Sequence, residues 1–190
     1  MNLLSMIIGA ILINNIVLAK FLGVCPFLGV SKNSKSAIGM GLAVIFVIFA
    51  SSMLTYALYY LVLVPLGIEY MQLISFILVI AAFVQFVEMF LKKYSPGLYK
   101  SLGVYLPLIT TNCTVLYVTQ NNISEGYNLI QTIVNSIAVP VGFMLVLYIF
   151  SCIRERLDGA DTNPTWKGNP IALVIAGLMA LALSGLAGIA

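Results

Sequence analysis

Cys25-Pro26-Phe27-Leu28-Gly29-Val30 and Cys113-Thr114-Val115-Leu116-Tyr117-Val118 share the pattern C-x-x-L-x-V. A second pair follows in the same order, Leu78-Val79-Ile80-Ala81 and Leu173-Val174-Ile175-Ala176. Apolar tetrapeptides recur by chance in such a chain. Two matches in one order at similar spacing instead indicate an internal repeat, with halves at residues 1–97 and 98–190 of a single membrane domain.

The charges show what each half contains. Uncharged stretches cover residues 1–19, 36–68, 70–87, 101–124, 126–153 and 168–190. Crossing the hydrocarbon core takes about 20 apolar residues. The shortest stretch gains an apolar tail to Leu91 around Glu88, so six spans are expected. With 62% hydrophobic and 8% charged residues and a mean hydropathy of +1.09, no soluble domain is expected. Three cysteines and no histidine exclude a disulfide framework. Met1-Asn2-Leu3-Leu4 lacks the basic start of a signal peptide.

Three spans per half force the halves into opposite orientation. The expected fold is all-α and polytopic, six transmembrane helices in two inverted three-helix repeats, with interrupted helices near the cysteines. Lys32, Lys35, Lys92, Lys93, Lys100, Arg154, Arg156 and Lys167 fall in three loops on one side. The other loops carry only Glu69 and Glu125. The positive-inside rule makes the basic side cytoplasmic and puts both termini on the periplasmic or extracellular face. The basic balance belongs to these loops and not to a nucleic-acid surface.

Span 1 runs longer than one simple helix. It holds Asn14, Asn15 and Lys20, then Cys25-Pro26, where proline breaks the helix ahead of it. Span 4 holds Pro107 and the polar run Thr110-Thr111-Asn112-Cys113-Thr114. Irregular backbone at membrane depth is tolerated where it is buried in protein or lines a cavity. A membrane cysteine is often only a small apolar filler, and Cys152 reads that way. Cys25 and Cys113, repeat-related and beside interruptions, are candidate metal ligands. Two thiolates do not complete a site; an iron–sulfur cluster usually takes four cysteines. A second chain would then supply the other two.

Other candidates carry two readings each. Lys20 either snorkels to the cytoplasmic face or balances an anionic centre or ion path. Glu88 either pairs with Lys92 one turn on or serves as an ion-binding carboxylate, and Asn112 stands beside Cys113 as a supporting group. Ala176, Ala180, Ser184 and Gly188, with Gly177 and Gly185, make a close-packing face. Arg154-Glu155-Arg156 and the stretch to Asn169 offer a docking segment for a cytoplasmic partner, but read first as a solvated loop.

Phe21-Leu22-Gly23-Val24-Cys25-Pro26-Phe27-Leu28-Gly29-Val30-Ser31-Lys32, Pro107-Leu108-Ile109-Thr110-Thr111-Asn112-Cys113, Ile153-Arg154-Glu155-Arg156 and Ala176-Gly177-Leu178-Met179 together resemble the RnfA/RsxA family. NqrE of the sodium-pumping quinone reductase is its sister. The resemblance runs nearly end to end. It implies a six-helix subunit of the Rnf complex in the bacterial inner membrane, a ferredoxin:NAD oxidoreductase coupled to sodium or proton translocation. It also implies a homologous RnfE-like partner of opposite orientation, with the further Rnf subunits B, C, D and G. Cys25 and Cys113 would then be this chain's ligands to an intramembrane [2Fe-2S] cluster shared with that partner. Some relatives keep a redox sensor reduced. Two other classes stay open on the residues alone. One is a secondary transporter with an inverted repeat and no metal; the other is a purely structural assembly protein.

Overall fold

The computed structural model describes residues 3–31, 34–94, 108–109, 112–159 and 168–187. Pro107, Thr110, Thr111, Lys32, Lys100, Lys167 and Gly188 lie outside them. The first segment is a broken helix: α1 (Leu3–Ile8), a π turn (Gly9–Ile13), α2 (Ile16–Lys20) and α3 (Val24–Val30). Next comes α4 (Ser34–Leu58), a second π turn (Tyr59–Leu63) and α5 (Val64–Leu66). Pro65 has no N–H for the carbonyl one turn back, and the widened π turn precedes it. A 3₁₀ turn (Glu69–Met71) leads into α6 (Gln72–Tyr94). Then follow α7 (Cys113–Ser124), α8 (Leu129–Asp158) and α9 (Asn169–Ala187).

Among the described residues, three helical stretches are long and apolar enough to cross a membrane: Ser36–Leu66 (31 residues), Gln72–Met89 (18) and Leu129–Leu157 (29). Asn169–Gly185 is a shorter apolar helix. Leu42, Phe46, Leu78, Phe86 and Leu181 are exposed on these helices, as suits surroundings that are themselves apolar.

The turns between these helices are built from local chemistry. After α7, Gly126 takes φ +63, Gly126 N–H donates to Ile123 O, and Tyr127 N–H donates to Asn122 O. This is the Schellman pattern, which only a left-handed residue allows cheaply. Two residues on, the Gln131 side chain accepts from Asn128 N–H at 3.1 Å and so caps the start of α8. Gly67 (φ +67) ends α5 in the same manner, with Ile68 N–H on Leu63 O. These turns fall beside Glu69 and Glu125, where the charge pattern places them.

By compactness the chain divides into two units, residues 1–42 with 138–190, and residues 43–137. In the first, Phe27 on α3 stacks on Phe150 of α8, with ring centroids 4.2 Å apart. Met40, Phe143 and Leu147 are buried there as well, and Gly41 lies against the Met144 side chain. In this unit α9 packs on α2 and on the first π turn, leaving a cleft of about 580 Å³ lined by Asn14, Leu18, Phe21, Gly177, Ala180 and Ser184. Of the small-residue face read from the sequence, Gly177, Ala180 and Ser184 line this cleft, and a Cβ added at Gly177 or Gly185 would meet nothing within 4 Å. In the second unit α6 packs on α7, and Phe76, Val84, Val115 and Val118 are buried.

Two sequence readings change. The helix does not end at the first charge after span 5: α8 runs through Arg154-Glu155-Arg156 to Asp158. Arg154 is not solvated but 2% exposed. Arginine and glutamate are good helix formers, so the end of the uncharged stretch does not mark the end of the helix.

Candidate functional site

The surroundings of Cys25 begin at the break after α1. Asn15 is extended (φ −60°, ψ 121°), and its Oδ1 accepts from Val17 N–H at 3.2 Å, capping α2. Its Nδ2 donates to Ile11 O at 3.1 Å and to Gly142 O at 2.9 Å. One buried side chain thus satisfies the frayed backbone on both sides of the break and ties it to α8. The polarity of Asn15 was visible in the sequence, but its partner 127 residues away was not.

Helix α2 ends at Lys20. Phe21 then takes φ +52, the only positive φ outside glycine among the described residues, and Gly23 takes φ +78. A left-handed conformation costs a bulky residue roughly 1–2 kcal/mol, so this turn is held by its context. Helix α3 starts at Val24, with Cys25 second and Pro26 third. The first N–H groups of a helix have no intrahelical acceptor. Pro26 therefore loses nothing, and the break lies ahead of Cys25-Pro26 as expected. Cys25 is exposed. Lys20, on the far side of the left-handed turn, is exposed at the end of α2, where a cation suits the helix dipole.

Cys113 opens α7 directly. Asn112 is extended (φ −72°, ψ 113°), 4% exposed, and its Oδ1 accepts from Thr114 N–H at 3.1 Å. The helix starts at α2 and at α7 use the same device, a buried extended asparagine as cap, whereas α3 starts from Gly23 with no side-chain cap. The asparagine stands ten positions before Cys25 but next to Cys113, so the local settings are not copies. Cys113 is exposed, as Cys25 is, and no described cysteine is in a disulfide. Closed off from solvent beside Cys113 are Asn112 Nδ2 and Thr114 Oγ1, neither with a hydrogen-bond partner among the described residues. Losing an asparagine cap costs about 1 kcal/mol. Asn112→Ala is therefore expected to lower stability by about that amount, and Asn112→Ser to restore most of it, read as unfolding midpoints in detergent. Equal midpoints for the alanine variant and the parent would rule out the cap as a stabilising contact.

Glu88 is half-buried on α6, one turn before the exposed Lys92. Cys152 is half-buried on α8. Cys25 and Lys20 belong to the first compact unit, Cys113, Asn112 and Glu88 to the second. No cluster of three or more metal-ligating side chains occurs among the described residues.

The sequence reading missed Arg154. Its Nη1 donates to Leu28 O at 2.9 Å and to Ser31 Oγ at 2.8 Å, and its Nη2 to Asn169 Oδ1 at 3.2 Å. Leu28 lies on the same short helix as Cys25. The neighbouring Glu155 faces elsewhere and accepts from Ser34 N–H at 2.8 Å.

A family model described as an Rnf-Nqr subunit, membrane protein, matches residues 3–190. The chain belongs to the Rnf-Nqr family. With that membership and its apolar helices, it is an integral membrane protein. It is 53% identical over 188 residues to the A component of the Na(+)-translocating ferredoxin:NAD(+) oxidoreductase complex of Acetobacterium woodii, covering 99% of this chain and 98% of that one. It is equally 53% identical to the A component of the ion-translocating oxidoreductase complex of Syntrophotalea carbinolica, over 99% of this chain and 97% of that one. The corresponding component of the ion-translocating oxidoreductase complex of Vibrio cholerae is 53% identical over 186 residues, 98% of this chain and 96% of its own. The Rnf-Nqr likeness seen in four short motifs therefore extends over the whole chain.

Proposed function

We propose that this chain is a membrane subunit of an ion-translocating ferredoxin:NAD oxidoreductase, and that Cys25 and Cys113 are its ligands to an intramembrane [2Fe-2S] cluster. The observation that carries the reading is the shared setting of the two thiols. Each stands in the first turn of a helix that begins after a break, and each is exposed on the chain. Thiolate sulfur is the usual donor to such clusters, which take four. This chain offers two, so a homologous partner of opposite orientation would supply the rest. The unpartnered donors beside Cys113 fit an anionic centre, because a metal-bound thiolate is a stronger acceptor than a thiol. The positive end of α7 favours the same charge. When bound, the cluster would pass single electrons between the two sides of the apolar layer.

The rest of the architecture follows the same reading. Three spans in residues 1–97 and three in 98–190 form inverted repeats, with the basic loops cytoplasmic and both termini outside. Lys20 and Glu88 remain candidates for an ion path.

The test is spectroscopic. Cys25→Ser and Cys113→Ser should each remove one [2Fe-2S] EPR signal from the purified complex and lower its iron content accordingly, with the other subunits still present. A full cluster inventory in either variant would end the ligand role of that cysteine.

A further inference from the structure

Arg154 is charged and buried, and its three acceptors are all neutral oxygens. No carboxylate bonds to it among the described residues. Taking a cation out of water is costly unless its environment replaces the lost hydration, so this arrangement has to be built. The acceptors show around what. Leu28 O is one of the last carbonyls of α3, which have no intrahelical donor. Ser31 directly follows α3 and itself donates to Leu28 O at 3.3 Å. Asn169 is the first residue of α9. The guanidinium therefore caps the negative end of α3 and fastens it to α8 and α9.

Helix α3 needs such fastening. It has seven residues, and so short a helix does not persist by propensity alone. At its other end it leaves the left-handed turn at Phe21 and Gly23. Phe150 stands four residues before Arg154, on the same face of α8. It holds Phe27 while Arg154 holds the next carbonyl, Leu28 O. A ring stack and a forked hydrogen bond one turn apart define both the height and the rotation of α3 on α8. Cys25, about one turn before Leu28, has its position defined with them.

We propose that Arg154 is a positioning residue for Cys25. It clamps the helix that presents the thiolate, and its charge, which no described carboxylate compensates, favours the electron-rich state of the centre held there. The inference rests on Cys25 being a cluster ligand, which Cys25→Ser decides separately by loss of the signal. Arg154→Gln and Arg154→Lys are compared with the parent in the purified complex by iron content, EPR line shape and redox titration of that signal. Arg154→Gln should keep the cluster but shift its midpoint to a more negative potential, since removing a nearby positive charge disfavours reduction. Arg154→Lys should hold the midpoint closer to the parent value yet alter the line shape, because an ammonium does not reproduce the planar fork. A merely structural arginine would change yield and thermal stability without moving either property. If Arg154→Gln does not assemble, Arg154→Lys decides alone. A loaded cluster with unchanged line shape and midpoint in whichever variant assembles would overturn the proposal.

Discussion

Gly142→Val should destabilise the chain by about 3 kcal/mol, the sum of overpacking at a rigid contact and the loss of a buried hydrogen bond. A Cβ at position 142 would sit 3.0 Å from both Cα and O of Ile11 and 3.1 Å from Asn15 Nδ2. The first two are backbone atoms of the π turn, which cannot swing aside as a side-chain tip can. Pushing them away also breaks the 2.9 Å bond from Asn15 to Gly142 O. The buried amide then keeps only Ile11 O as acceptor. Gly142→Ala tests the sign. In a permissive helix interior, alanine is better than glycine by roughly 1 kcal/mol. Here it should instead lower the unfolding midpoint in detergent. A rise in that midpoint would show that the first π turn and α8 do not approach this closely.

Asn122→Leu should cost about 2 kcal/mol by leaving buried polar groups without partners. Asn122 Oδ1 accepts from Asn135 Nδ2 at 2.6 Å, and Asn122 Nδ2 donates to Ser136 Oγ at 3.2 Å. All three side chains are buried in the α7–α8 hairpin. Leucine strands the Asn135 amide, while removing both partners together can be nearly neutral. The Asn122→Leu/Asn135→Leu pair should therefore cost clearly less than the sum of the single changes. Ser136→Ala should cost less than either, near the roughly 0.6 kcal/mol usual for such bonds in membranes. Strict additivity in the double-mutant cycle would mean the asparagines do not act as a pair.

Much of the fold was legible because its signals are local. Glu69 and Glu125 flagged two turns, and Gly67 and Gly126 close them with left-handed backbone. Pro26 pointed to a break ahead of Cys25, and the polar run before Cys113 to another. The break ahead of Cys25 is present, although Pro26 itself sits inside α3 as a first-turn residue, and at the other position α7 starts at Cys113 after the extended Asn112. The end of α8 was not legible, because a charge marks the limit of an apolar stretch and not the limit of a helix.

The candidate site divides along the same line. Cys25, Cys113 and the Asn112 cap are readable because a helix start is specified by the few residues around it. The burial of Arg154 was not readable: its acceptors Leu28 and Ser31 lie more than a hundred positions away. Nor was the tie from Asn15 to Gly142, where the informative feature at one end is a missing side chain. The sequence alone determined the membrane class, the long apolar helices and the helix starts beside two of the cysteines, since hydropathy and capping act between chain neighbours. Only the tertiary structure decided which polar groups at those breaks are held, and by what. A buried donor must find an acceptor wherever packing supplies one, and packing joins segments that the linear order keeps apart.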